Sequence, residues 1–185
     1  SNLDAKMRVQ MRTEIHKLHI RLQTTIIYVT HDQVEAMTMG NRIAVMKDGK
    51  ILQIGRPTEI FEKPSVPFVA DFMGTNNFFE GTIQSMQGNR MALRLSNGRE
   101  LIVPTIVDAA LGKKATMAIR PQNIQLIADS EGDSKDPNIF AVKVVGGQYL
   151  GTYYEYIVND ADRDFLFHTH KEIHGDHATV HFDPG

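Results

Sequence analysis

The sequence predicts an α/β segment over residues 1–73, followed by a small all-β domain over residues 77–185. Helix and strand patterns alternate before Gly74, whereas short strand patterns separated by turn residues follow it. The charge changes at the same place: residues 1–73 carry ten Lys and Arg against eight Asp and Glu, and the remaining residues carry ten against fourteen. The polar stretch 74–77 is therefore predicted to be the domain boundary.

Composition narrows the functional classes. The chain has 185 residues, 42% of them hydrophobic, a formal net charge of −2 and no cysteine. The lack of cysteine excludes disulfides, thiolate metal sites and a cysteine nucleophile. The net charge argues against a nucleic-acid partner, and the longest apolar runs are too short to cross a bilayer.

The first predicted element is an amphipathic helix over residues 5–23 with Asp4 as its N-cap. Its apolar residues recur at steps of three and four: Met7, Met11, Ile15, Leu18 and Leu22. The β-branched run Thr24–Thr30 follows and predicts a strand buried on both faces of a parallel sheet. Asp32 and Glu35 then have the spacing of a capping box, which predicts the start of a second helix.

A hairpin and two short helical segments complete this part of the chain. Residues 42–47 and 50–55 flank Asp48-Gly49, a strong signal for a two-residue type I′ turn. A helix is predicted to begin at Pro57 and to end before Pro64. Residues 68–73 predict one more apolar helical turn.

The chemistry of this segment centres on His31. A polar residue just past the carboxyl end of a buried parallel strand lies where α/β sheets place their ligands. A neutral imidazole there can donate one hydrogen bond and accept another, and so can sense a phosphate or a positioned water. The alternative is a boundary histidine whose hydrogen bonds are satisfied within the protein. The residue types alone do not identify an enzyme.

Three strings in this segment resemble a known family. They are SNLDAKMR at 1–8, IIYVTHDQVEAM at 26–37 and MKDGKILQIGRPTEIFEKP at 46–64. In order and spacing they resemble the D-loop, the switch-histidine loop and the closing hairpin and helix of ABC-transporter nucleotide-binding domains. The resemblance implies that His31 contacts the γ-phosphate of ATP and the attacking water, and that Asp4 reaches the site of a partner subunit. Gln33 and Glu35 also fit the string, but helix capping and packing are the roles favoured for them.

Other motifs of that family are missing from the sequence. It contains no G-x-x-x-x-G-K-[ST] loop, no LSGGQ-like string and no hydrophobic strand ending in Asp-Glu. In the family these motifs precede the D-loop, so the chain is expected to begin just after the Walker B strand. The resemblance implies ATP and Mg²⁺ as cofactors of a full-length parent. The fragment alone is expected to bind neither and to be inactive.

Nine short strand patterns at near-regular spacing predict a closed or nearly closed barrel in the second segment. They cover residues 78–86, 91–95, 99–103, 115–119, 124–128, 140–145, 153–158, 165–169 and 178–182. MAIRPQNIQLI at 117–127 and VVGGQYLGTYYEYIV at 144–158 resemble the OB-like regulatory domain of the TOBE type. That domain follows the nucleotide-binding domain in importers of the maltose, polyamine and ferric-iron type. The complete fold prediction is an α/β remnant of a P-loop ABC ATPase domain followed by an all-β OB-like barrel.

Three features of the second segment allow two interpretations each. Arg120 is either a ligand or interface arginine or, as favoured here, the anchored end of a strand. Tyr149, Tyr153, Tyr154 and Tyr156 could stack nucleic-acid bases, but the negative charge of this segment favours packing.

Five histidines lie between residues 168 and 181, and His168 and His170 would face the same way on a strand. They are weak candidates for a metal site, and a solvated histidine-rich edge is favoured.

The sequence is thus interpreted as the C-terminal part of the ATP-hydrolysing subunit of an ABC importer. The resemblance implies a homodimeric partner subunit, transmembrane permease subunits and a cytoplasmic location on the inner face of the membrane. The alternative is a free-standing OB-type solute-sensing or binding module with an α/β adaptor.

Overall fold

A computed structural model describes residues 5–127 and 135–183 of the chain. The chain divides into two compact units, residues 1–74 and residues 75–185. Asp4, predicted as a helix cap and as the D-loop aspartate, lies outside the described residues.

From residue 5 onward, the first unit contains four helices and one hairpin. The helices are α1 (Ala5–Leu22), α2 (Gln33–Met39), α3 (Pro57–Glu62) and α4 (Pro67–Phe72), and the hairpin strands are β1 (Ile43–Lys47) and β2 (Lys50–Gly55). The strands pair antiparallel across Asp48 and Gly49, whose φ angles of 49° and 72° are those a type I′ turn requires. The predicted hairpin is therefore confirmed, as are the helices that begin at or next to a proline.

The core of the first unit lies between the hairpin and the short helices. Ile43, Val45, Ile60, Val69 and Met73 are buried together, and Ala36 and Met37 of α2 pack against them. Since α2 is attached to this core, the turn that precedes it is attached as well. This packing positions the residues around His31.

The strand predicted over Thr24–Thr30 is wrong: residues 23–30 form neither helix nor strand. A strand needs a neighbour for its backbone groups. Within the described residues of this unit, β1 and β2 pair only with each other. Ile27 and Val29 are accordingly 87% and 90% exposed. Several apolar residues of α1, Met7, Met11, Leu18 and Leu22, are exposed as well.

The second unit contains the nine predicted strands with small changes at their ends. They are β3 (Asn77–Gln87), β4 (Arg90–Leu95), β5 (Glu100–Pro104), β6 (Lys114–Ile119), β7 (Ile124–Ile127), β8 (Ile139–Tyr149), β9 (Tyr154–Asn159), β10 (Asp164–Thr169) and β11 (His177–Phe182). They form two antiparallel sheets, in the orders β5-β4-β3-β6 and β10-β9-β8-β11-β7. A 3-10 turn, Pro121–Asn123, leads from the first sheet to the second.

The two sheets of the second unit enclose one core. Phe79 from one sheet meets Phe165 and Phe182 from the other, with ring centroids 5.5 and 5.0 Å apart and edge-to-face geometry. These rings are buried, and every strand from β3 to β11 contributes at least one buried residue to this core. The alternation of buried and exposed positions along β9 and β10 matches the alternation in the sequence.

Two asparagine side chains join the sheets at their edges. The amide of Asn77 donates to the carbonyl oxygen of Leu166 at 2.7 Å, and its oxygen accepts from the Leu166 backbone N–H at 2.9 Å. The amide of Asn138 makes the same pair of bonds with Ile102, at 2.9 and 2.8 Å. Each amide takes the place of a peptide group from a neighbouring strand, because β10 and β5 are edge strands. The two sheets, which share no strand pair within the described residues, are thus joined at these two seams by side chains.

Candidate functional site: the His31 turn

His31 lies in the turn that leads into α2, and its side chain is exposed to solvent. The N-cap of α2 is Asp32, whose carboxylate accepts the backbone N–H of Glu35 at 3.0 Å. This is the first half of the predicted capping box, and it is confirmed. The N-cap is therefore the residue after His31, and α2 begins at Gln33.

The carboxylate of Glu35 has a different role from the one predicted. Its Oε2 accepts hydrogen bonds from the hydroxyls of Thr30, at 2.6 Å, and Tyr28, at 3.1 Å. The Thr30 hydroxyl in turn accepts the backbone N–H of Asp32 at 2.9 Å. Residues on both sides of His31 are thereby tied to α2.

The Tyr28 phenol is held in its protonated form. Partial desolvation and the hydrogen bond to the Glu35 carboxylate both raise the pKa of Tyr28 above its usual value. The phenol therefore remains a donor to Glu35 throughout the neutral range. A signal for this network exists in the sequence, since hydroxyl residues precede the glutamate by seven and five positions.

The imidazole of His31 has no hydrogen-bond partner in the described part of the chain. The residue is exposed to solvent, and a neutral imidazole donates one hydrogen bond and accepts another. This arrangement differs from the boundary histidine with satisfied hydrogen bonds that the sequence left open. A phosphate oxygen or a water is the kind of partner that such a group can bind. Gln33, the first residue of α2, is also exposed.

Arg120 is buried where β6 meets the 3-10 turn. Desolvation lowers the pKa of its guanidinium. Burial at this junction supports the interpretation of Arg120 as the anchored end of a strand.

The tyrosines form a stack that runs from the core to an exposed edge. Tyr156 is buried, and its hydroxyl accepts the backbone N–H of Ile173 at 2.8 Å. Its ring centroid is 6.0 Å from that of Tyr154, which is 4.8 Å from that of the exposed Tyr149. Gly147 pairs with Tyr156 across β8 and β9, and a Cβ there would lie 2.4 Å from the Tyr156 ring. These contacts support packing as the role of the stack.

The two weak metal candidates have separate partners. His168 Nε2 lies 3.0 Å from Glu155 Oε2, and its ring stacks on Tyr153 at 4.4 Å between centroids. His170 Nδ1 lies 3.0 Å from the carbonyl oxygen of Thr152. Hydrogen bonds from Gln148 and His168 lower the pKa of the Glu155 carboxyl.

The remaining histidines of this group are dispersed: His177 contacts Asp176, and His181 lies 3.7 Å from Asp136. Across residues 5–127 and 135–183, no three His, Asp or Glu side chains are grouped so that they could hold a metal ion.

Curated proteins provide close relatives over nearly the whole chain. An uncharacterized ABC transporter ATP-binding protein, YcjV of Escherichia coli O6:H1, is 38% identical over 188 residues, covering 99% of this chain and 51% of the relative. The oligosaccharides import ATP-binding protein MsmX of Bacillus subtilis is 40% identical over 194 residues, with the same two coverages. The sn-glycerol-3-phosphate import ATP-binding protein UgpC of Salmonella paratyphi A is 48% identical over 134 residues, covering 71% of this chain and 37% of the relative.

The comparisons with family models and with solved structures give information on the fold only. No family model matches the chain. The cytoplasmic molybdate-binding protein ModG, in its molybdate-bound form, aligns with a TM-score of 0.51 at 18% identity, covering 58% of this chain and 90% of its own. The likeness concerns the fold alone, and it confirms the predicted OB-like domain.

Among the described residues, no helix combines the length and apolar character needed to span a bilayer. The chain spans about half the length of the curated relatives YcjV and MsmX. The similarity to these relatives extends over 99% of the chain, so it includes both the His31 turn and the OB-like domain. The chain is therefore a homologue of the ATP-binding proteins of ABC importers.

Proposed function

We propose that the chain is the C-terminal part of the ATP-hydrolysing subunit of an ABC importer, which couples ATP binding and hydrolysis to solute uptake through a membrane permease. The observation that carries this proposal is the alignment of 99% of the chain, at 40% identity, with a protein described as an import ATP-binding protein. The exposed imidazole of His31, held at the start of α2, supports it, because a group that contacts a nucleotide must be accessible.

In this proposal His31 hydrogen-bonds the γ-phosphate of ATP and the water that attacks it. Phosphoryl transfer depends on positioned groups of this kind, together with a phosphate cradle and Mg²⁺. The sequence has no P-loop, so most ligands of ATP and Mg²⁺ belong to residues outside these 185. Asp4 would act across the interface with a second copy of the subunit.

The rest of the proposal concerns the partners and the second unit. Two subunits would form a homodimer on the cytoplasmic face of the membrane and contact the permease there. The OB-like unit would act as the regulatory domain.

The test compares the chain with the complete subunit that contains it. The chain alone should show no ATP hydrolysis above a buffer control and no ATP affinity tighter than millimolar. In the complete subunit, His31→Ala should lower kcat strongly and leave ATP binding nearly intact, because His31 acts on the γ-phosphate and the attacking water rather than on the base or the α- and β-phosphates. His16→Ala, which removes an exposed histidine of α1, is the matched control and should have no effect.

Two results would contradict the proposal. One is hydrolysis by the chain alone that disappears in His31→Ala. The other is a complete subunit that retains full turnover after His31→Ala. Tight binding of a solute or an oligonucleotide by the chain alone, without any dependence on ATP, would favour the alternative of a free-standing OB-type module.

A further inference from the structure

The segment that leads into His31 enters no strand pair within the described residues. Residues 23–30 form no strand pair in the described structure, and Ile27 and Val29 are almost fully exposed. The direction of a side chain at the end of such a segment is set by whatever fixes the last few residues. Among the described residues, one such restraint comes from the far side of His31, from the first turn of α2.

The restraint consists of linked hydrogen bonds that end on one carboxylate oxygen. The Asp32 N–H donates to the Thr30 hydroxyl, and that hydroxyl donates to Glu35 Oε2 at 2.6 Å. The Tyr28 hydroxyl donates to the same oxygen at 3.1 Å. Bonds to a carboxylate are stronger than neutral ones, and both donors lie within three residues before His31.

These hydrogen bonds allow Glu35 to restrain the backbone on both sides of His31. Thr30 and Asp32 are the two neighbours of His31, and the network fixes both of them relative to α2. The helix is itself packed on the core of the unit through Ala36 and Met37. A rigid path therefore runs from that core, through Glu35, to the backbone of His31.

We propose that Glu35 is a positioning residue, which sets the direction of the His31 imidazole by holding Thr30 and Tyr28 against α2. This inference rests on the proposed function, in which the imidazole meets a phosphate and a water. Reacting groups need placement to within about 0.5 Å, and an error of about 1 Å can cost about a hundredfold in rate. Glu35 itself touches neither the nucleotide nor the water in this proposal.

The test uses the complete ATPase subunit with four single variants, together with His31→Ala alone and combined with Glu35→Ala. Glu35→Ala removes the acceptor, Glu35→Gln retains one uncharged acceptor oxygen, and Thr30→Val removes the donor next to His31. Thr38→Val is the matched control, since the Thr38 hydroxyl is also on α2 but donates to the carbonyl oxygen of Val34 at 2.6 Å, away from the His31 turn.

The expected result is a separation of kcat from KM. Glu35→Ala should lower kcat by about tenfold to a hundredfold and leave the KM for ATP within about twofold, because ATP binding does not depend on the direction of His31. Glu35→Gln should recover part of the loss, and Thr30→Val should also lower kcat. Thr38→Val should leave kcat unchanged. In a His31→Ala background, Glu35→Ala should cause little further loss, since there is no imidazole left to position.

Three other results would each overturn the inference, and the measurements distinguish them. If His31→Ala abolishes turnover but Glu35→Ala does not lower kcat, the proposed function stands and the positioning role of Glu35 is wrong. If His31→Ala has no effect, the proposed function fails, and the inference fails with it. If Glu35→Ala lowers kcat, ATP affinity and melting temperature together, and Glu35→Gln recovers none of them, the role of Glu35 is structural and the inference is wrong.

Discussion

Replacement of Asn77 by alanine tests whether side chains hold the two sheets of the second unit together. Asn77 is 8% exposed, and its amide satisfies both the N–H and the carbonyl of Leu166 on edge strand β10. Alanine cannot supply either hydrogen bond. The variant should therefore leave two backbone groups at the seam without a partner, while the remainder of the core stays in place.

The magnitude follows from the two lost bonds. A buried donor or acceptor left unsatisfied costs about 1–3 kcal/mol. The two groups of Leu166 are half-buried, so water can compensate part of the loss. Asn77→Ala should therefore lower the free energy of unfolding of the second unit by about 2–4 kcal/mol. Asn159→Ala is the matched control, because Asn159 also makes two hydrogen bonds but at a solvent-exposed turn, and it should cost less than about 1 kcal/mol.

The assay is urea unfolding followed by near-ultraviolet circular dichroism. The chain has five tyrosines, and all of them except Tyr28 lie in the second unit, so the tyrosine signal reports mainly on that unit. Equal losses in Asn77→Ala and Asn159→Ala would refute the reasoning, because they would show that the seam contributes no more than an exposed turn.

Three further predictions concern the second unit. Gly147→Ala should lower its melting temperature strongly, because the new methyl group would overlap the buried Tyr156 ring; thermal unfolding close to that of the parent chain would contradict this. Folding lowers the pKa of Glu155, so its contribution to stability is present above about pH 4.3 and is lost as the pH falls. Glu155→Gln should consequently flatten the acid side of the curve of unfolding free energy against pH, and an unchanged curve would count against the interaction. Addition of Zn²⁺ or Ni²⁺ should raise the melting temperature little. A stoichiometric metal that survives dialysis against a chelator, together with a large stability loss in His168→Ala/His170→Ala, would reverse that expectation.

Local signals in the sequence predicted most of the fold. The hairpin at Asp48-Gly49 needs only a turn with two positive φ angles and two short flanking strands, all within 13 residues. The nine strands of the second unit follow from alternation and turn residues, which are equally local. Such elements are predictable because their determinants are close together in the chain.

The features that the sequence did not predict depend on contacts that no local pattern specifies. The run Thr24–Thr30 has strong β propensity, but a strand also requires a neighbouring strand, and none pairs with it in the described residues. The position of Asn77 at the start of a strand is readable from the sequence, whereas its bonds to Leu166, 89 residues away, are not. For the candidate site, the Asp32 cap was predicted and is confirmed, whereas the role of His31 stays a prediction. The binding of the Glu35 carboxylate by Thr30 and Tyr28 depends on how the preceding segment folds back onto α2.

The exposed run between α1 and α2 has a consequence for handling the protein. Residues 24–30 contain no charge and no proline, and they combine β-branched side chains with backbone groups that enter no sheet. Short segments of this composition pair readily with copies of themselves, which is how ordered aggregates begin. The first charged residue after the run is Asp32, and the nearest before it is Arg21, so no charge interrupts the run itself. A preparation of this chain is therefore expected to aggregate through contacts between residues 24–30 of different molecules. The substitution Ile27→Lys or Val29→Lys should reduce this aggregation.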